Sequence, residues 1–274
     1  VGHARELGLA AREDLAMSFL ELVGVSVSFG GVAAVSELTL DIGAGEIRGL
    51  IGPNGAGKTS LINAITGVVK PISGIIRFDG HDITDLEPDA ICRLGIGRTF
   101  QHVELFREQT VFENVLTGLY RHQAYGAIGA ALRLPAAMRE EAAARHEALA
   151  LLDALGLREF ECELPGELPF GIQKRIDMAR ALAVRPRLLL LDEPVSGMSE
   201  AEADSTVATA RAVVKERGIT LLVVEHNMRV MMRLADRITA MHQGRVIADG
   251  TPEQIRLDRG VIDAYLGEEA DAHA

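Results

Sequence analysis

Apolar and polar positions alternate over residues 20–27 and again over 33–42, either side of a Gly30-Gly31 turn, which predicts two half-buried strands. Asp41 to Gly45 reads as a turn, and Glu46 to Ile51 as a short apolar strand. After a Gly-rich loop, Lys58 to Ala64 predicts a helix stopped at Gly67 and Pro71. Ile75 to Phe78 is strand-like before an Asp79-Gly80 turn, and Pro88 to Leu94 is a short helix ended by Gly95. From Thr110 to Leu155 the pattern becomes helical and Ala-rich, opened by Thr110-Val-Phe-Glu113, a capping box whose hydroxyl and carboxylate satisfy end amides. Gly126, Gly129 and Pro135 divide this stretch into two helices. A helix over Gly171 to Val184, a strand over 187–192, a helix from about 200 to Arg217 and a strand over 219–225 follow. A helix near 227–234, strands near 237–241 and 245–249, and short helices across Thr251 to Leu266 complete the chain. Strands alternating with helices around a helical insertion predict an α/β core carrying a helical subdomain.

Composition narrows the function classes. The 274 residues allow one large domain or two small ones, and 48% hydrophobic with 24% charged residues excludes extensive disorder. A net charge of −11 argues against a protein that coats nucleic acid, because phosphate binding needs a basic footprint. With 4% aromatics and no Trp, a base-stacking platform is also disfavoured. Cys92 and Cys162 make neither a disulfide framework nor a zinc cluster and read as reduced residues of a cytosolic protein. No stretch approaches the ~20 apolar residues of a membrane span, so the expectation is a soluble chain able to dock on a membrane protein. Arg5, Glu6, Arg12, Glu13 and Asp14 interrupt any signal-peptide core, and the expected natural start is Met17.

Gly52-Pro-Asn54-Gly55-Ala56-Gly57-Lys58-Thr59 fits the phosphate-loop spacing between an apolar strand and a helix. Glycines let backbone amides turn inward around phosphate oxygens, and the helix N-terminus adds positive potential. Lys58 is placed to neutralise β- and γ-phosphate oxygens, the Thr59 hydroxyl to ligate Mg²⁺, and Ser60 to reach the α-phosphate. Leu188-Leu-Leu-Leu-Asp192-Glu193-Pro194 is an aliphatic strand ending in two carboxylates. Delivered at the C-terminal edge of a parallel sheet, Asp192 would hold Mg²⁺ and Glu193 would polarise the attacking water.

These motifs, with Glu225-His226 thirty-odd residues further on, resemble the ATP-binding subunit of an ABC transporter over Phe19 to Gly267. The resemblance implies a P-loop NTPase core with an antiparallel β subdomain, an ABC ATPase domain over 18–267 and a helical subdomain inserted at roughly 105–185. It leaves 1–17 as a disordered extension and 268–274 as a flexible tail. It further implies that Gln101 is the glutamine that contacts Mg²⁺ and water, that His226 bonds the γ-phosphate and the attacking water, and that Phe29 stacks on adenine. Leu168-Pro169-Phe170-Gly171-Ile172-Gln173 stands at the signature position, where residues of one subunit contact the partner's nucleotide. It departs from the family's L-S-G-G-Q: Pro169 replaces Ser and Ile172 replaces Gln. Ser196-Gly-Met-Ser199 stands at the D-loop without its usual Asp, and Ser199-Glu-Ala-Glu202 is itself a capping box.

The departures resemble the branched-chain amino acid importer branch, as do Gly97 to Arg107, the long insert after Tyr120 and the tail from Ala248 through Gly267. The tail is similar also to lipopolysaccharide-export ATPases, which keeps a lipid or polysaccharide exporter as the alternative; a soluble ABC ATPase acting on nucleic acid or ribosomes is disfavoured by the acidic charge, the lack of basic arms and the single ATPase unit. The importer reading implies ATP and Mg²⁺, hydrophobic permease subunits and a second ABC ATPase subunit, with an extracytoplasmic substrate-binding protein acting indirectly. It places the chain on the cytoplasmic face of the membrane. Gln101 to Val115, with Val103, Leu105, Phe106, Val111 and Phe112, is expected to form much of the groove for a permease helix, some of the five being core.

Overall fold

Leu188 to Asp192 is buried along its whole length because strand β7 (Leu188–Asp192) lies inside a sheet covered on both faces. The computed structural model of the chain describes residues 18–99, 103–120 and 135–271, the last six by backbone alone. The expected extension at 1–17 lies outside the described residues. Among the described residues the central sheet has the order β10-β9-β3-β8-β7-β6, with β6 at Ile96–Arg98, β3 at Ile47–Ile51, β8 at Thr220–Val224, β9 at Arg237–His242 and β10 at Arg245–Gly250. All neighbours are parallel except the closing hairpin of β9 and β10.

A second sheet, β2-β1-β4-β5, is antiparallel: β1 (Leu20–Phe29), β2 (Val32–Ile42), β4 (Ser73–Phe78) and β5 (His81–Asp82). The two faces of the central sheet bury different partners, which the alternation of Cβ directions in a strand dictates. Leu188 and Leu190 join the core with the antiparallel sheet and helix α1 (Lys58–Ile65). Leu189 and Leu191 join the core beneath the helices of the insertion.

That insertion lies between β6 and β7 and contains α3 (Val111–Tyr120), α4 (Pro135–Ala154) and α5 (Phe170–Ala183), following α2 (Pro88–Leu94). The expected capping box opens α3: Glu113 N–H donates to Thr110 Oγ1 at 3.2 Å and Thr110 N–H to Glu113 Oε2 at 2.8 Å. Buried Asn114 fastens the preceding loop, accepting from Phe106 N–H at 2.9 Å and donating to Phe106 and Gln109 carbonyls.

Helices α6 (Glu200–Glu216), α7 (Met228–Leu234), α8 (Pro252–Leu257) and α9 (Arg259–Asp271) complete the chain. β5, a strand of 2 residues, has no counterpart in the sequence reading, and two further features differ. β6 is a strand of 3 residues, too short for alternation to register. Helix α9 runs on to Asp271, past the expected end at Leu266. One glycine costs a helix only about 1 kcal/mol, and Glu268, Glu269 and Ala270 are good helix formers.

Candidate functional site

Leu50 in β3 and Asp192 in β7 both stand opposite Val224 in the strand between them. Three loops therefore leave the sheet at one level: the phosphate loop after β3, Glu193 after β7 and Glu225-His226 after β8. β6 joins the same edge. Thr99 N–H donates to Leu190 O at 2.9 Å, and Asp192 N–H donates to Thr99 Oγ1 at 3.2 Å. Gln101, two residues further on, lies outside the described residues.

The phosphate loop has a shape that side chains would obstruct. Gly57 has φ +98°, and a Cβ there would lie 2.2 Å from the Ala34 carbonyl oxygen. Beside Ala34, Gly244 also holds the loop, its N–H donating to Ala56 O at 3.0 Å. Buried Lys58 folds over the loop, its ammonium donating to Gly52 O at 2.6 Å and Pro53 O at 2.9 Å. No side chain caps α1, and its first turn holds no acid. The leading amides of α1 are thus unopposed by a carboxylate, the arrangement that favours a phosphate. Asn54, Gly55 and Thr59 are exposed around them, with Ser60 half-buried and Ala56 buried.

Asp192 is 3% exposed, and its Oδ2 makes no hydrogen bond among the described residues, with Arg98 at 3.5 Å. Burial pushes its carboxyl up, against the opposing pull of Arg98. A buried carboxylate oxygen without a hydrogen bond, in a set with a threonine hydroxyl, is the hard-oxygen chemistry that Mg²⁺ prefers, so the residues fit that ion. Glu193 adopts φ +49°, and its N–H donates to Val224 O at 2.9 Å. His226 Nδ1 lies 3.7 Å from Glu193 Oε1 and 3.9 Å from Glu225 Oε2, with the imidazole largely exposed. A carboxylate beside an accessible imidazole at a phosphate loop can hold a water and accept its proton.

Phe29 is half-exposed at the end of β1, opposite Val32. Val32 opens β2, the strand whose Ala34 carbonyl lies against Gly57. Pro169, Phe170 and Gly171 form the start of α5, with Pro169 as an exposed N-cap lacking a side-chain bond. Phe170 and Gly171 lie against the turn at Gly197 and Met198: a Cβ at Gly197 would meet Phe170 at 3.2 Å, and one at Gly171 would meet Met198 at 3.4 Å. Ser199 caps α6, accepting from Glu202 N–H at 3.4 Å.

Four side chains at this edge carried no assignment from sequence. Arg98 donates to Asn63 Oδ1 at 2.6 Å and so joins α1 to Asp192. Glu225 is buried, and its Oε1 accepts from Val195 N–H at 3.0 Å. Lys174 reaches Glu193 O and Ser196 Oγ, the latter at 2.8 Å. Tyr265 bonds Gly52. Only Lys174 had a usable signal: it shares a helix face with Asp177, Met178 and Ala181, all buried.

The sequence pattern of the ABC transporter family matches residues 35–196, and that of branched-chain amino acid ATP-binding cassette transporters matches residues 245–271. The chain is 40% identical over 249 residues to the high-affinity branched-chain amino acid transport ATP-binding protein BraF of Pseudomonas aeruginosa, across 91% of this chain and 98% of that one. The chain belongs to the ABC transporter ATP-binding family. This ABC cassette is also 38% identical over 254 residues to the corresponding protein LivG of Escherichia coli, covering 93% of the cassette and 100% of LivG. Among solved structures, a nucleotide-free ATP-binding cassette of an ABC transporter superposes with a TM-score of 0.78 at 30% identity, covering 91% of this chain and 99% of that one. The ADP conformation of such a cassette gives 0.79 at 30% identity, over 92% and 99%. Among its described residues the cassette has no helix long and apolar enough to cross a membrane.

Proposed function

We propose that this cassette is the ATP-hydrolysing subunit that drives a membrane importer for branched-chain or related amino acids. The hydrolytic part rests on one observation above others: Leu50, Val224 and Asp192 share one level, so phosphate loop, carboxylates and His226 meet at one edge. The importer part rests on the transport named for BraF and LivG and on the C-terminal pattern over 245–271.

In this reading the amides of Asn54 to Ser60 and the Lys58 ammonium hold the phosphates, and Phe29 stacks on adenine. Thr59, Gln101 and Asp192 would hold Mg²⁺, which neutralises charge on the β- and γ-oxygens when bound. Glu193 takes the proton of the attacking water, and His226 hydrogen-bonds the γ-phosphate. Pro169, Phe170 and Gly171 face the nucleotide of a second ATPase subunit, most effectively a different one with a serine in its signature.

The permease docks in an apolar groove of about 470 Å³ between α2, α3 and α5, lined by Val68, Ile91, Phe106 and Val184. Phe106 is exposed, Val111 is buried, and Val103, Leu105 and Phe112 are half-buried, as befits a segment that is part core and part groove. The cassette then sits on the cytoplasmic face of the membrane, and an extracytoplasmic binding protein delivers the solute to the permease.

Reconstitution in vesicles with the permease subunits and an amino-acid-binding protein tests the reading. ATP-dependent leucine or isoleucine uptake, with Leu105→Cys crosslinking to the permease, is the expected result. Uptake of lipid or no uptake overturns the importer, and crosslinks only to the C-terminal segment overturn the groove.

A further inference from the structure

Glu193 occupies a left-handed backbone conformation, φ +49°, that residues with a side chain avoid, so neighbours must hold it there. Three groups do so. Val224 O accepts from its N–H, and Ser196 N–H donates to its carbonyl at 3.3 Å. The third is Lys174, whose ammonium donates to the same carbonyl and to Ser196 Oγ. Lys174 comes from a different part of the fold. It is the fifth residue of α5, the helix whose first residues are Phe170 and Gly171. It is 6% exposed, and Asp177, Asp192, Glu193 and Glu225 supply negative charge around it. An ammonium on a flexible four-carbon stem suits this place, since it can serve a carbonyl and a hydroxyl from one atom.

We propose that Lys174 is a positioning residue for Glu193, tying the backbone that carries the carboxylate to the signature turn of the same subunit. This rests on the reading of Glu193 as the acceptor of the water proton. A helix moves as a rigid rod over one turn, so a shift at Phe170-Gly171 is felt at the Lys174 ammonium. When the signature turn seats on the partner's nucleotide, Lys174 fixes the Glu193 carbonyl and the carboxylate points at its own water. When the turn is unseated, the Glu193 turn loses one of its three holders. Occupancy of one site thereby sets the competence of the other, through one side chain.

The test compares Lys174→Met, Glu193→Gln and the double variant in ATPase assays of the assembled transporter, with ATP binding measured on the same samples. Lys174→Met is expected to lower kcat about tenfold or more while the ATP Kd stays within about twofold, because a hydrogen bond to a charged group is lost away from the phosphates. In the Glu193→Gln background the same change should cost nothing further, since it acts through the carboxylate. Lys174→Arg should recover part of the rate. Unchanged kcat, parallel losses in kcat and ATP binding, or losses that multiply in the double variant would each overturn the inference. Should Lys174→Met fail to fold, Ser196→Ala carries the test at two- to threefold in the wild type and none beside Glu193→Gln. Full turnover in Glu193→Gln would instead overturn the reading of Glu193 itself.

Discussion

The hydroxyl of Tyr265 accepts a hydrogen bond from the backbone N–H of Gly52 at 2.9 Å, across 213 residues of sequence. Gly52 opens the phosphate loop, and Tyr265 lies on α9 in the segment that matches the branched-chain amino acid pattern. The loop's base has little room to give: a Cβ at Gly52 would stand 2.2 Å from Met241 O. α9 thus forms an outer wall of the nucleotide site, with a cavity of about 590 Å³ between them lined by Asn54, His242 and Asp263. Tyr265→Phe removes the acceptor and leaves a half-buried N–H unpaired, at a cost of about 1–2 kcal/mol. Titration with ATP should show three- to tenfold weaker binding and little change in kcat at saturation. Wild-type affinity would mean that the loop holds its own shape.

Glu193→Gln keeps the shape of the side chain but accepts a proton poorly. Turnover should fall by about a hundredfold or more while ATP binding and nucleotide-dependent dimerisation persist. Steady-state hydrolysis alongside size analysis with ATP reads both, and near wild-type hydrolysis would remove Glu193 from the chemistry.

Pro169 supplies neither hydroxyl nor N–H at the start of α5, and no side chain caps that helix. Pro169→Ser should stabilise α5 by about 0.5–1 kcal/mol as an N-cap. It should also raise the ATPase rate of the cassette assayed alone, because in the proposed arrangement the new hydroxyl would face the partner's γ-phosphate. The unmodified cassette should hydrolyse slowly by itself and rise more than additively on mixing with a serine-bearing partner subunit. Equal rates in all three preparations would dismiss the asymmetry.

Asp236 ties α6 to the start of β3. Its carboxylate accepts from Ile47 N–H at 3.0 Å, Arg211 at 3.0 Å and Lys215 at 2.6 Å. Burial alone would raise its pKa, but the bonds from Lys215 and Ile47 outweigh it and hold the carboxyl below its usual range. A depressed carboxyl stabilises the fold above its unfolded pKa and loses that contribution as pH falls through the folded value. Asp236→Asn should therefore lower stability by about 1–2 kcal/mol at pH 7, partial exposure being discounted. The gap between variant and wild type should narrow below about pH 4. Denaturant unfolding at pH 7 and pH 3.5 reads it, and a gap independent of pH would assign the loss to packing.

The phosphate loop, the carboxylate pair after Leu191 and most helix ends were legible in the chain itself, because each depends on residues adjacent in sequence. Lys58 closes on Gly52 and Pro53 of its own loop, and Thr110, Ser199 and Thr251 cap helices from three residues away. The Ser-to-Pro departure at Pro169 was equally local. What the tertiary structure decided is everything carried by contacts between distant segments. That Asp192 and Leu50 meet on either side of Val224 follows from the order of parallel strands, which alternation within one strand cannot specify. The helix face of Lys174 hints at burial, but its partner is fixed only when α5 packs on the Glu193 turn and buries its ammonium among carboxylates. Tyr265 reads as a tail residue until α9 folds back onto the phosphate loop. The reason is physical: backbone conformation and capping are set over a few bonds, whereas burial and charge pairing are set by which surfaces close together once the chain has folded.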